Sequence, residues 1–253
     1  MAPILKTERL TKYFGALCAV HTLDIAIQPG EITGLVGPNG AGKTTVFNLI
    51  TGFLKPNQGH VFFKGKDVTG YKPHQLCRMG ISRTFQLSSN FPNFTVMENV
   101  LLGGHRRCKI TPQMFVNWPS KREVEEAMET LRLLGLENFA NEMVVNLPSG
   151  PQRSLQLAIA LMSRPELLLL DEPTSGMTLA EIDFILQIIR NIQTSGVTVF
   201  LIEHNMRVVM EICKHIIVID FGSKVAEGMP EYIQNHPKVI EIYLGVEEEE
   251  HVT

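Results

Sequence analysis

At 253 residues, 44% hydrophobic and 19% charged, the chain is long enough for one large domain with an inserted lobe and apolar enough to bury a full core. A net charge of −3, from 23 basic against 26 acidic residues, offers no electrostatic case for nucleic acid. The longest apolar runs, Leu167 to Leu170 and Val197 to Ile202, fall far short of the ~18 to 20 residues that span a bilayer, so a membrane role has to come through a partner subunit. The opening MAPILKTERL meets charge at once and has no apolar signal region, which argues for a cytoplasmic protein. Cys18, Cys77, Cys108 and Cys213 form no C-x-x-C pair and read as reduced thiols.

In chain order, β-formers in ILKTERLTKYF, AVHTLDIAI and EITGLVG predict three strands, the second and third separated by the turn Gln28-Pro29-Gly30. The third feeds GPNGAGKT, Gly37 to Thr44, and an apolar helix follows from Val46 to Ile50. GHVFFKGKDV predicts a strand pair around Lys64-Gly65-Lys66, so the first third reads as an antiparallel sheet beside a nucleotide-binding core. From 87 to 161 the pattern turns helical, as in KREVEEAMETLRLLGL and PQRSLQLAIALMS, and predicts an inserted helical lobe. Strands return at LLLLD and VTVFLIE with the helix AEIDFILQIIRNIQ between them, the alternation of a mostly parallel α/β sheet. IIVID and SKVAEG predict a small terminal hairpin and HPKVIEIYLG a final helix, with the acidic EEEEHVT from Glu247 as a solvated, frayed tail. The division is one domain over 1–246: a β-rich, nucleotide-binding core (1–86 and 162–228), a helical lobe (87–161) and a C-terminal helical extension (229–246), followed by the tail 247–253.

The spacing G-x-x-x-x-G-K-T between strand and helix is that of a phosphate-binding loop. Glycines let the backbone of Gly37, Pro38, Asn39, Gly40, Ala41 and Gly42 wrap the phosphates, with amides from all but Pro38 turned toward their oxygens, where the helix N-terminus also favours an anion. Lys43 is placed for the β and γ phosphates, the Thr44 hydroxyl for magnesium, and Thr45 for the α phosphate. A buried strand ending in Asp171 and Glu172 presents two carboxylates to the ligand crevice: Asp171 to hold magnesium and Glu172 to polarise a water for attack on the γ phosphate. His204, at the end of VTVFLIE, is placed for a γ-phosphate contact. Gln86, closing ISRTFQ, has the amide to ligate magnesium or position water, at the hinge where the helical lobe begins.

GPNGAGKT, RTFQ, LLLLDEPTSG and LIEH occur in the order found in ATP-binding cassette (ABC) ATPases, and the resemblance covers nearly the whole chain. More narrowly, GPNGAGKTTVFNLITGFLKP, GISRTFQ, FTVMENVLL and MPEYIQNHPKVIEIYLG resemble the ATP-binding subunit of branched-chain amino acid importers. The resemblance implies an α/β phosphate-loop NTPase core with an antiparallel β subdomain and an inserted α-helical subdomain, using ATP and Mg2+. It further implies that Phe14 in KYFG stacks on adenine. Its members work as head-to-tail pairs, so a second ABC ATPase subunit is implied, in a homodimer or heterodimer. Permease subunits hold such pairs at the inner face of the membrane, with a solute-binding protein acting indirectly.

In these pairs each ATP lies between one phosphate loop and the partner's signature peptide, typically LSGGQ. Here the matching residues are Leu147 to Pro151, with Ser149 and Gly150 as the implied ATP contacts. Pro148 stands where a serine is usual, Pro151 replaces glutamine, Thr178 replaces an Asp or Asn, and Ile159 replaces an arginine. A hydrogen bond to a charged group lost at Pro148 costs about 1.5 to 3 kcal/mol unless Ser149 compensates. The main expectation is therefore an ATP-hydrolysing importer subunit, and the alternative is a regulatory ATP-binding subunit with low turnover at one site.

Overall fold

The computed structural model describes residues 2–84, 90–104 and 119–250, without the side chains of residue 149 and residues 244–250. Two sheets organise it. The first is antiparallel in the order β2-β1-β4-β5, built from β1 (Leu5–Phe14), β2 (Leu17–Ile27), β4 (Gln58–Phe63) and β5 (Lys66–Asp67). The second runs β10-β9-β3-β8-β7-β6, from β3 (Ile32–Val36), β6 (Ile81–Arg83), β7 (Leu167–Asp171), β8 (Thr198–Ile202), β9 (His215–Asp220) and β10 (Ser223–Gly228). All its pairings are parallel except β9 with β10.

Every residue of β3, β7 and β8 is buried, which is why these strands are unbroken apolar runs instead of alternating ones. Their side chains divide by parity. Leu167, Leu169, Phe200 and Ile202 face the layer holding helix α1 (Lys43–Ile50) and the antiparallel sheet, where Phe47 and Phe200 meet with centroids 5.0 Å apart. Leu168, Leu170, Val199 and Leu201 face the opposite layer of helices. That layer takes α3 (Val96–Gly104), α4 (Lys121–Leu133), α5 (Ser149–Leu161), α6 (Leu179–Thr194), α7 (Met206–Ile212), α8 (Pro230–Gln234) and α9 (Pro237–Glu250). Helix α2 (Pro73–Met79) leads into β6.

Within the helical layer α3 and α5 approach closely at Gly103, where a Cβ would lie 2.3 Å from the Ile159 carbonyl oxygen. Ile159 packs partly buried against the helical-layer core, which gives an apolar residue a place there.

Two expectations need correction. The IIVID strand is not confined to a small hairpin: β9 pairs in parallel with β3 as well as antiparallel with β10, so it is an interior strand of the core sheet. The last helix does not stop at 246 but continues through Glu250, so 247–250 are helical and not frayed. A run of glutamates is a good helix former and offers no Gly or Pro to end the helix.

Candidate active site

β3 delivers the chain to Gly37 at the carboxyl edge of the core sheet. A Cβ at Gly37 would lie 2.1 Å from the Ile219 carbonyl oxygen, and one at Gly42 2.3 Å from that of Ala19. Gly42 also has φ +99°, in the left-handed region that glycine adopts without a Cβ penalty. It precedes α1 with no side-chain cap, so amides of the first turn are left to a ligand, an arrangement suited to an anion. Lys43 is buried and its Nζ donates to the carbonyls of Gly37 at 2.7 Å and Pro38 at 2.8 Å, curling back over the loop. Burial holds this ammonium below its ordinary pKa, against the opposing pull of Glu172 and Asp171. Ala41 is buried, Asn39, Gly40 and Thr44 are exposed, and Pro38 and Thr45 are half-buried.

The neighbouring strands end level with the loop, Asp171 and Leu35 each facing Ile202 in register. Asp171 is buried at the tip of β7, with Oδ2 2.6 Å from Arg83 Nη2. Its Oδ1 is buried and has no hydrogen-bond partner among the described residues. The chain then inverts at Glu172, φ +47°, a conformation that costs a non-glycine residue roughly 1 to 2 kcal/mol and tends to mark functional turns. The Glu172 amide donates to the Ile202 carbonyl at 3.0 Å, and its Oε1 stands 3.8 Å from His204 Nδ1. Lys43, Asp171, Glu172 and His204 thus gather from three adjacent strands at one edge.

Sequence reasoning missed two supporting residues. Glu203 is fully buried, and its Oε1 accepts from the Thr174 amide at 3.0 Å and the Thr174 hydroxyl at 2.6 Å, tying the strand that carries His204 to the turn that carries Glu172. Arg83 bridges Asp171 and Asn48 of α1. Their only sequence signal is a charged residue inside or beside an apolar strand, which demands a buried partner.

Comparison with known proteins places this edge in a family. Residues 20–175 match the ABC transporter family profile. The chain belongs to the ABC transporter ATP-binding cassette family. Residues 223–249 match a second profile, that of the branched-chain amino acid ATP-binding cassette transporter. The chain is similar to the high-affinity branched-chain amino acid transport ATP-binding protein BraF of Pseudomonas aeruginosa, 40% identical with 96% of this chain and 98% of that protein covered. It is equally similar, at 40% identity and with 96% and 98% covered, to the protein LivG of the same description in Escherichia coli. Among solved structures, an ATP-binding cassette of an ABC transporter in its ADP conformation superposes with TM-score 0.86 at 33% identity, covering 97% of this chain and all of that one. A dimeric bacterial ABC transporter cassette superposes with TM-score 0.77 at 25% identity, covering 89% and 98%. The cassette described here is accordingly an ATPase coupled to transport.

The remaining site candidates of this ABC ATPase lie on other elements or outside the described residues. Phe14 ends β1, exposed, with Lys12 Nζ 5.4 Å above its ring. Gln86 and the side chain of Ser149 lie outside the described residues. Around Gly150 the nearest side-chain atom to a built Cβ is Glu181 Oε1 on α6, 3.7 Å away. Pro148 caps α5 without a side-chain hydrogen bond, and the Gln152 side chain donates instead to the Leu147 carbonyl at 2.8 Å. Pro151, in the first turn, removes only an amide that has no intrahelical acceptor, so the helix forms without loss.

Thr178 has a task of its own as the N-cap of α6. Its hydroxyl accepts from the Glu181 amide, while its own amide donates back to the Glu181 carboxylate at 2.9 Å. The hydroxyl also donates to that carboxylate at 2.8 Å, and the two bonds onto it, the amide's first, hold the Glu181 carboxyl below its usual range. Thr178→Ala is expected to cost about 1 kcal/mol and, for a domain of this size, to lower the Tm by roughly 2 to 4 °C in thermal denaturation. An unchanged Tm would remove the capping role.

Proposed function

We propose that this cassette powers import of branched-chain or closely related amino acids, as the ATP-hydrolysing member of a head-to-tail pair with a second ABC ATPase subunit. It acts as one cassette over residues 1–246, docked on permease subunits at the inner face of the membrane and served indirectly by a solute-binding protein. Among the described residues no helix is long and apolar enough to cross a membrane, so such docking is through protein contacts. The observation that carries the hydrolytic part is the gathering of Lys43, Asp171, Glu172 and His204 at the ends of β3, β7 and β8. The substrate class rests on near-full-length likeness to proteins described as branched-chain amino acid transport subunits.

In this reading the loop backbone of residues 37–42, with amides at every position but Pro38, and the Lys43 ammonium bind the β and γ phosphates, and Thr45 the α phosphate. Glu172 orients a water and takes its proton, and His204 steadies the γ phosphate. Phe14 stacks on the base. Ser149 and Gly150 serve the ATP held by the partner's loop. The residues present also fit magnesium: the buried Oδ1 of Asp171, which has no donor among the described residues, is the kind of oxygen a hard cation takes. Thr44, Asp171 and Gln86 would hold the ion, which supplies neutralisation of phosphate charge.

The test is co-expression with candidate permease subunits and reconstitution into vesicles. Leucine plus its binding protein is expected to raise ATP turnover several-fold and to drive leucine uptake. ATPase activity that no branched-chain amino acid stimulates would overturn the substrate assignment, and failure to assemble with any membrane subunit would overturn the transport role.

A further inference from the structure

The buried guanidinium of Arg83 lies where β6, β7 and α1 meet. Its Nη2 is 2.6 Å from Asp171 Oδ2, and its Nη1 donates to Asn48 Oδ1 at 2.6 Å and approaches the Thr51 hydroxyl at 3.4 Å. Its Cζ stands over the Phe47 ring, 5.6 Å from the centroid. Both members of the ion pair are shut away from solvent, with side chains 6% and 4% exposed. Such a pair gives little net stability, because desolvation offsets most of its attraction. Its geometric effect is definite: one carboxylate oxygen is occupied and the other, Oδ1, is left buried and unpartnered among the described residues.

We propose that Arg83 is a positioning residue for the nucleotide site. It grips Asp171 by Oδ2 and is itself anchored to the phosphate-loop helix through Asn48, so the carboxylate presents Oδ1 alone to the metal of a metal–nucleotide complex. The proposal rests on the reading of Asp171 as the metal carboxylate. Two features require arginine over lysine. The planar fork reaches two elements at once, and its Cζ stands over an aromatic ring, whereas an ammonium acts as a single compact charge. The loop that binds phosphate and the strand that binds metal are thereby held at one spacing by a single side chain.

Equilibrium binding to the whole chain separates this role from simple structural support. A fluorescent ADP is titrated once with magnesium and once with a chelator, and the ratio of the two affinities gives the magnesium enhancement. Loss of a charge-assisted hydrogen bond predicts that Arg83→Gln lowers this ratio about tenfold or more, while the chelator affinity stays within about threefold of the parent. Arg83→Lys, which keeps the charge and spares the fold, is expected to fall between the two, at least about threefold below the parent.

A folded Arg83→Gln with the parental ratio, or one whose two affinities fall in parallel, overturns the proposal. If Arg83→Gln does not fold, a parental ratio in Arg83→Lys overturns it equally. Asp171→Asn serves as the reference. If that variant keeps the parental ratio, the reading of Asp171 fails; if it loses the ratio while Arg83→Gln keeps it, the Arg83 proposal alone fails.

Discussion

Replacing Glu172 by glutamine is expected to cut ATP turnover by about 10²-fold or more while leaving ATP affinity within about threefold of the parent. The backbone at Glu172 is already turned into the left-handed region, and neither residue is β-branched, so the substitution adds no new strain. The Ile202 carbonyl keeps its amide partner, and Glu203 keeps its hold on Thr174, so the turn stays in place. What is removed is the proton-accepting carboxylate and its charge, which also acts on the Lys43 ammonium. Steady-state hydrolysis alongside nucleotide titration separates the two quantities. Turnover within about threefold of the parent would transfer the base role elsewhere, with His204, 3.8 Å away, as the next group to test.

Gly42→Ala is expected to have an equally large effect by a different route. At φ +99° an alanine pays roughly 1 to 2 kcal/mol in the backbone, and its Cβ would lie 2.3 Å from the carbonyl oxygen of Ala19. Main chain cannot swing away as a side-chain tip can, so either β2 or the loop must move. Nucleotide affinity should fall by on the order of 10²-fold, about 2.7 kcal/mol, together with a lowered Tm. Gly40→Ala is the matched control, since Gly40 has φ +80° with open space around a built Cβ and bears only the backbone cost. Equal nucleotide affinities in the two variants would show that the contact with Ala19 does not govern the loop.

Much of the fold was legible because its central strands are buried on both faces. ITGLV, LLLLD and TVFLI are continuous apolar runs of strand length, the pattern of interior strands. The place of β9 beside β3 was not legible, since adjacency in a parallel sheet depends on crossovers and not on the strand's own residues. The short helices α2 and α7 escaped notice as well, at seven residues each, too few to display a helical period.

In the site, the phosphate loop and the ends of β7 and β8 could be located because spacing and strand ends are local properties. Arg83 could not be given a role, because its partners Asn48 and Asp171 come from 35 residues before and 88 after it. Thr178 is the instructive case. Compared with a family pattern it looked like a lost contact, yet Thr178 and Glu181 carry the T-x-x-E spacing of a capping box, a signal present in the sequence all along.

One carbonyl joins parts of the molecule that lie far apart in the chain. A Cβ at Gly42 or at Gly222, after β9, would run into the Ala19 oxygen at 2.3 and 2.7 Å, and the Gly222 amide also donates to Ala41 at 3.0 Å. Ala19 lies on β2 two residues beyond Leu17, which pairs with Phe14. The strand that follows the proposed base platform and the phosphate cradle therefore meet main chain to main chain, at a contact that leaves no room for a methyl group. A methyl group added at either glycine would push that strand and the cradle apart, so a change at one of the two is expected to be felt at the other.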